Sequence, residues 1–158
     1  MLKGFYEDLA NGKEAEQLVV EVFSSLTEDY KFESVGDKRE FFYKGDIKAT
    51  AADGREIFIE VKDDSVICKT QNILCEEEVY YKSCDYYGKG NMKANYDIYV
   101  VVSKQERKMY VINFETLHSI YKQGDYKEIE HPSQITYCYL LPLGVAKRVG
   151  AIITTIEY

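Results

Sequence analysis

Tryptophan is absent from this chain, which has two histidines, four cysteines and no apolar stretch near the ~20 residues a membrane-spanning helix needs. Cys68, Cys75, Cys84 and Cys138 form no CxxC pair and stand at no zinc-ligand spacing from His118 or His131. They are read as reduced, mostly buried thiols. His118 has no acidic or thiol partner at ligand spacing and His131 precedes Pro132, so neither is assigned a role. The opening MLKGFYEDLANGKE lacks the apolar core and small-residue cleavage site of a signal peptide, which makes a cytoplasmic location, with no membrane partner, the expectation.

Positive charge is also short: 20 Lys and Arg stand against 27 Asp and Glu, a net charge of −7. A protein that coats DNA would be basic. An enzyme acting on nucleic acid is still allowed, because carboxylates clustered at a metal site count as negative until the ion binds. Any phosphate-contacting surface must then be local. Lys82, Lys89 and Lys93, around the Gly88-Lys89-Gly90-Asn91 turn, are the best candidates, with a plain solvated loop as the alternative. Fifteen tyrosines fill the place of tryptophan. They suit core edges and strand faces, and some could stack on bases.

At 158 residues the chain fits one domain, residues 1–158, able to bury a core without disulfides. Asn11 and Glu14 form a capping-box-like start to a helix. Ala15, Leu18, Val19, Val22, Phe23 and Leu26 then make one apolar stripe. At about 100° per residue Glu16 falls about 20° from Phe23, at the border of that stripe. Strand candidates follow at Tyr30–Val35, Phe41–Ala49 and Glu56–Lys62. Val66–Tyr81 is open between strand and helix, and Tyr86–Asn95 reads as loop. Asp97–Ser103 (DIYVVVS) is a strand covered on both faces, and Lys108–Ile112 pairs back to it. Asn113 caps a short helix stopped by Gly124. Strands at Thr136–Leu141 and Ala151–Ile156 flank a Pro142-Leu143-Gly144 break. The pattern is that of an α/β domain.

The segment that bears on chemistry is KGDIKATAADGREIFIEVKDD, Lys44 to Asp64, with Asp46 fourteen residues before Glu60. A two-residue Asp53-Gly54 loop would pair Ala52 with Arg55 and place Asp46 opposite Val61. A three-residue Ala52-Asp53-Gly54 loop, ending on a left-handed glycine, pairs Ala51 with Arg55. It sets Asp46 opposite Glu60 and Lys44 opposite Lys62, and it is the loop we expect. Opposed Cβ atoms lie ~4.5–5.5 Å apart, so both carboxylates can share one ion. Hydrolysing a phosphodiester needs an activated water and an answer to charge on the phosphoryl oxygens. Mg²⁺ or Mn²⁺ on hard carboxylate oxygens can supply both. Lys62, two residues after Glu60 on the same strand face, can stabilise the transition state.

Asp46 followed by Glu60-Val61-Lys62 on the next strand resembles the PD-(D/E)xK nuclease superfamily. TQNILCEEE, the glycine-bearing loop and NYDIYVVVS resemble a subgroup of small phage-associated or bacterial members, resolvase-like nucleases among them. The resemblance implies a restriction-endonuclease-like core, a mixed central β-sheet flanked by helices. It also implies a metal-dependent endonuclease hydrolysing DNA, on branched or phage DNA. A preceding helix often adds a glutamate to that family's metal site, and Glu16 occupies the matching place. Asp46, Glu60 and Glu16 are then the expected ligands of Mg²⁺ or Mn²⁺, with Lys62 beside them in catalysis. One departure stands: the family's Pro-Asp is Gly45-Asp46 here.

Plainer accounts exist for each residue. Asp46 could be a strand-end aspartate, Glu60 and Lys62 a solvated pair, and Glu16 an exposed helix residue. Asp63 and Asp64 are read as a solvated turn. Gln71, Asn72, Lys89 and Lys93 are the candidates for contacting DNA, with loop polarity as the alternative. The competing functions are a catalytically inactive nucleic-acid or protein-binding module on the same fold, and an interaction protein built on tyrosine-rich strands. A homodimer is allowed and not required.

Overall fold

The computed structural model describes residues 2–41 and 44–158, with side chains of its first helix described from residue 9 onward. That helix, α1 (Leu2–Leu26), leads into β1 (Tyr30–Ser34), β2 (Ile47–Ala51) and β3 (Glu56–Asp63). A single-turn helix α2 (Ile67–Thr70), β4 (Asn72–Tyr81), β5 (Tyr86–Lys89), β6 (Ile98–Ser103) and β7 (Lys108–Asn113) follow. The chain continues through α3 (Phe114–Ile120), β8 (Asp125–Glu130), β9 (Gln134–Pro142), α4 (Leu143–Arg148) and β10 (Ile152–Glu157).

Six strands form a central sheet in the order β1-β2-β3-β6-β7-β10. Every neighbouring pair is antiparallel except β3 and β6, which run parallel. β6 explains why its sequence is almost continuously apolar. Val100 and Val102 pack toward α1 with Ala15, Val19, Ile47, Ala49, Ile59 and Met109, while Tyr99 and Val101 pack on the opposite side. That second core gathers side chains of α3, α4 and a further antiparallel sheet of order β5-β4-β9-β8. The protein is thus a mixed α/β fold with a central mixed sheet flanked by helices, as expected. The second sheet, which carries the crossover between β3 and β6, is the addition.

Several expectations need correction. Asn11 lies inside α1 and does not cap it, since helix extends back to Leu2. Leu26, counted in the apolar stripe, is exposed. The first arm of the hairpin begins at Ile47, and Phe41 ends a 3-10 turn, Arg39–Phe41; Phe42 and Tyr43, also assigned to that arm, lie outside the described residues. Within the supposed loop Tyr86–Asn95 the chain pairs as β5 and then makes a 3-10 turn, Asn91–Lys93. The Pro142-Leu143-Gly144 break opens α4. Strand β8, mostly exposed and charged, had no counterpart in the expected elements.

The cap of α3 is as expected: the Asn113 side-chain oxygen accepts the Thr116 amide at 2.9 Å. Asn113→Ala is expected to destabilise the protein by about 1 kcal/mol, read as a lower urea midpoint with unchanged slope.

Candidate active site

The hairpin that carries the site closes through the three-residue loop. Gly54 adopts φ 87°, its amide donates to Ala51 O, and the Ala51 amide donates to Arg55 O. The register follows, with Ile47 paired to Ile59 and Lys48 to Phe58. Continued by one residue, it would put Asp46 opposite Glu60 in a regular ladder. Instead the Asp46 amide donates to Ile59 O at 2.9 Å, so Asp46 and Ile47 both address Ile59 in the manner of a β-bulge. Gly45 makes this possible. Its φ is 134°, and a Cβ there would lie 2.8 Å from Ile59 O. Proline, with φ held at about −65°, could not take this backbone. Glycine therefore suits the place where the family pattern has proline.

Beyond the bulge the Val61 amide has no strand residue to meet, and the Asp46 carboxylate accepts it at 2.9 Å. This turns Asp46 toward β3, beside Glu60. Burial raises the Asp46 carboxyl above its ordinary range, against the Val61 and Glu60 hydrogen bonds, which lower it. Glu60 is raised too, by burial and then by the Asp46 charge. Both shifts run upward because two carboxylates in one partly buried place are costly to ionise together.

Glu16 approaches from α1. Ser34 Oγ, at the end of β1, donates to Glu16 Oε2 at 3.2 Å. Burial and then repulsion from Asp46 push the Glu16 carboxyl up to about 7. Lys62 lies beside this group, without an ion pair to it among the described residues. Its Nζ pairs with Glu76 Oε1 of β4 at 2.7 Å, and among the described residues it forms no ion pair with Glu60. Burial would lower the Lys62 ammonium, but Glu76, Asp64 and Glu60 together hold it above its usual value. Lys44, expected opposite Lys62, instead lies 5.5 Å from the Phe58 ring centre; β2 begins too late to carry it there.

The structure therefore brings Asp46, Glu60 and Glu16 into one neighbourhood, with Lys62 at its margin. They do not form a ready cage: among the described residues no three Asp, Glu, His or Cys side chains are gathered closely enough to hold an ion. Two hard carboxylates with no cation of their own nonetheless suit Mg²⁺ or Mn²⁺ by the chemistry of their oxygens. The remaining candidates lie elsewhere. Gln71 caps α2, its side chain donating to the Ile67 and Cys68 carbonyls. Asn72 starts β4 opposite Pro142, and Lys93 pairs with Glu77 at 2.9 Å. Lys82 pairs with Glu130, so of the expected basic patch only Lys89, exposed at the end of β5, has no ion pair among the described residues. Asp63 and Asp64 are not a solvated turn. Asp63 pairs with Lys104, and buried Asp64 accepts the Val66 and Ile67 amides.

Two residues here were not among the candidates. Glu76 is one. The other is Tyr96, whose phenol is raised by burial and then by the charges of Glu60, Asp46 and Glu76. Both stand in segments that carried the resemblance, TQNILCEEE and NYDIYVVVS, but nothing in their spacing singles them out. A cavity of about 560 Å³ adjoins Tyr96 and is lined also by Asn95, Asp97, Asn113 and His118; neither Asp46 nor Glu60 lines it.

No family model matches the chain, and no curated protein matches it in sequence. Among solved structures it is similar to a bacterial homing endonuclease, I-Ssp6803I, at 15% identity and a TM-score of 0.48, covering 80% of this chain and 75% of that one. A likeness of this degree transfers no chemistry to this chain. No helix of the described residues is long and apolar enough to cross a membrane.

The raised carboxyls have a consequence for stability. Glu16 stands at about 7 in the folded chain against 4.5 for an unperturbed glutamate, so the folded state holds its proton more tightly than the unfolded one. Stability from this source is complete below the unfolded value and lost as pH rises through the folded one. Asp46 and Glu60 act in the same direction. Urea unfolding of metal-free protein at about pH 5 and about pH 7.5 should therefore show lower stability at the higher pH, and Glu16→Gln should flatten the difference. Equal or rising stability over that interval would contradict the burial of these groups.

Proposed function

We propose that this chain is a metal-dependent endonuclease hydrolysing DNA phosphodiester bonds, a restriction-endonuclease-like PD-(D/E)xK domain over residues 1–158. Branched and phage DNA are the first substrates to try. The observation that carries this reading is the Asp46 carboxylate held by the Val61 amide beside Glu60, both acids partly buried and neither in an ion pair among the described residues. Two acids crowded in one partly buried place repel each other once ionised, and a divalent cation bound between them relieves that repulsion.

Asp46 and Glu60 would hold Mg²⁺ or Mn²⁺, with Glu16 as the third acid from α1. Bound there, the ion supplies positive charge against the phosphodiester oxygens and activates water for attack. The protein's own contribution is orientation. The Val61 amide fixes the Asp46 carboxylate, and the bulge at Gly45-Asp46 fixes its approach to Glu60. Lys62, charged and partly buried beside them, answers negative charge that grows on the phosphoryl oxygens in the transition state. Lys89 is the remaining candidate for contact with the DNA backbone away from the reacting phosphate.

One observation favours a second reading, a binding module on the same fold without catalysis: the acids do not form a ready three-ligand cage among the described residues. The experiment that decides is incubation with linear, single-stranded and branched DNA in Mg²⁺, Mn²⁺ or EDTA. Metal-dependent cleavage is expected, and its absence on every DNA favours the module. Mn²⁺ should raise the melting temperature, and Glu60→Gln should remove most of that rise. Lys62→Ala should keep the rise while cleavage falls about 100-fold or more. Wild-type cleavage by Lys62→Ala would remove lysine from the mechanism.

A further inference from the structure

Glu76 is built into its position from several sides. Its amide donates to Asn91 Oδ1 at 2.8 Å, and Asn91 Nδ2 donates to the hydroxyl of fully buried Tyr99 at 2.7 Å. Gly90 lies so close that a Cβ on it would stand 2.2 Å from Glu76 O. On its other side Glu76 pairs with Cys138 of β9, immediately before an irregularity in the β4–β9 register. Gly90 and Asn91, which follow β5, thus clamp the backbone of one glutamate. That glutamate's carboxylate, 16% exposed, meets Lys62 Nζ at 2.7 Å.

The partner is unexpected. Glu60 stands two residues from Lys62 and, in the absence of an ion, is short of positive charge. A lysine free to choose would settle on the Asp46–Glu60 pair and neutralise it from within, and a divalent ion would then have to displace an ammonium. Glu76 draws the ammonium toward the second sheet instead.

We propose that Glu76 is a positioning residue that holds Lys62 out of an ion pair with Glu60, and so keeps the Asp46–Glu60 pair open to a divalent cation. The affinity arm of the test rests on the metal-site reading above, and the structural arm does not. A crystal structure of metal-free Glu76→Gln is expected to show Lys62 Nζ moved into an ion pair with Glu60; a lysine that stays where it is, or turns to solvent, overturns the inference whether or not the protein binds metal. Calorimetric titration of the metal-free full chain with Mn²⁺ is expected to show about 10-fold weaker binding for Glu76→Gln. Lys62→Met/Glu76→Gln, with no ammonium left to collapse, should bind Mn²⁺ as tightly as Lys62→Met alone. Unchanged affinity in Glu76→Gln, or weak binding that persists in the double variant, overturns the inference. Wild-type protein that binds no Mn²⁺ defeats the metal-site reading, and the crystal structure then decides on Glu76 alone. Should Glu76→Gln not fold, Asn91→Ala keeps both charges and loosens the clamp, and it should show the same displacement of Lys62 in part and weaker Mn²⁺ binding; wild-type values for both would refute the proposal.

Discussion

The hydrogen bond from the Val61 amide to the Asp46 carboxylate is the constraint around which this site is organised. Strand β2 leaves the sheet at Gly45, while β3 continues to Asp63 along β6. A backbone donor in a sheet cannot be left without an acceptor at small cost. Here the acceptor is a side chain of the departing strand itself. Because Asp46 must reach the Val61 amide, its carboxylate must also lie against Glu60, the residue before. Structural necessity and chemical opportunity thus fall on one contact, and the crowding raises both carboxyls.

The distribution of lysines makes sense of a chain with net charge −7. Lys13, Lys38, Lys82, Lys93 and Lys104 each find a carboxylate on another part of the chain, so basic charge is spread among local pairs and not collected in a patch. Most of these pairs are solvent-exposed and contribute little to stability. Lys62–Glu76 differs because both partners are largely shielded. Breaking it would leave a charge without a counterpart, so its worth lies in where it puts the ammonium and less in net stability.

How much of this was legible in the sequence varied with how local the cause was. One glycine in a left-handed position settled the hairpin register, and DIYVVVS announced a strand covered on both sides. The cap of α3 needed only Asn113 and its neighbours. The start of α1 failed because Asn11-Gly12 is a local signal for a helix boundary and the helix runs through it. β8, with the sequence DYKEIE, offers one aliphatic residue in six, and its pairing comes entirely from β9. Three consecutive glutamates show no periodicity, so the selection of Glu76 as the partner of Lys62 depends on the β4 irregularity and the Gly90 clamp. The bulge at Asp46 was hidden likewise: the register rule placed the two carboxylates together, but by a backbone route that is not the one the chain takes.

The parallel pairing of β3 with β6 sets an order of assembly. All the acids of the proposed metal site, Glu16, Asp46 and Glu60, precede β4 in the chain, and the β1-β2-β3 meander can form locally. The open edge of β3 must then wait for residues 98–103, with α2, β4 and β5 emerging in between. During that interval Lys62 has no fixed Glu76, because the Gly90-Asn91 clamp and Tyr99 have yet to arrive. A nascent chain therefore carries its acid pair before it carries the contact that directs the lysine, and the long-range step that closes the sheet also finishes the site.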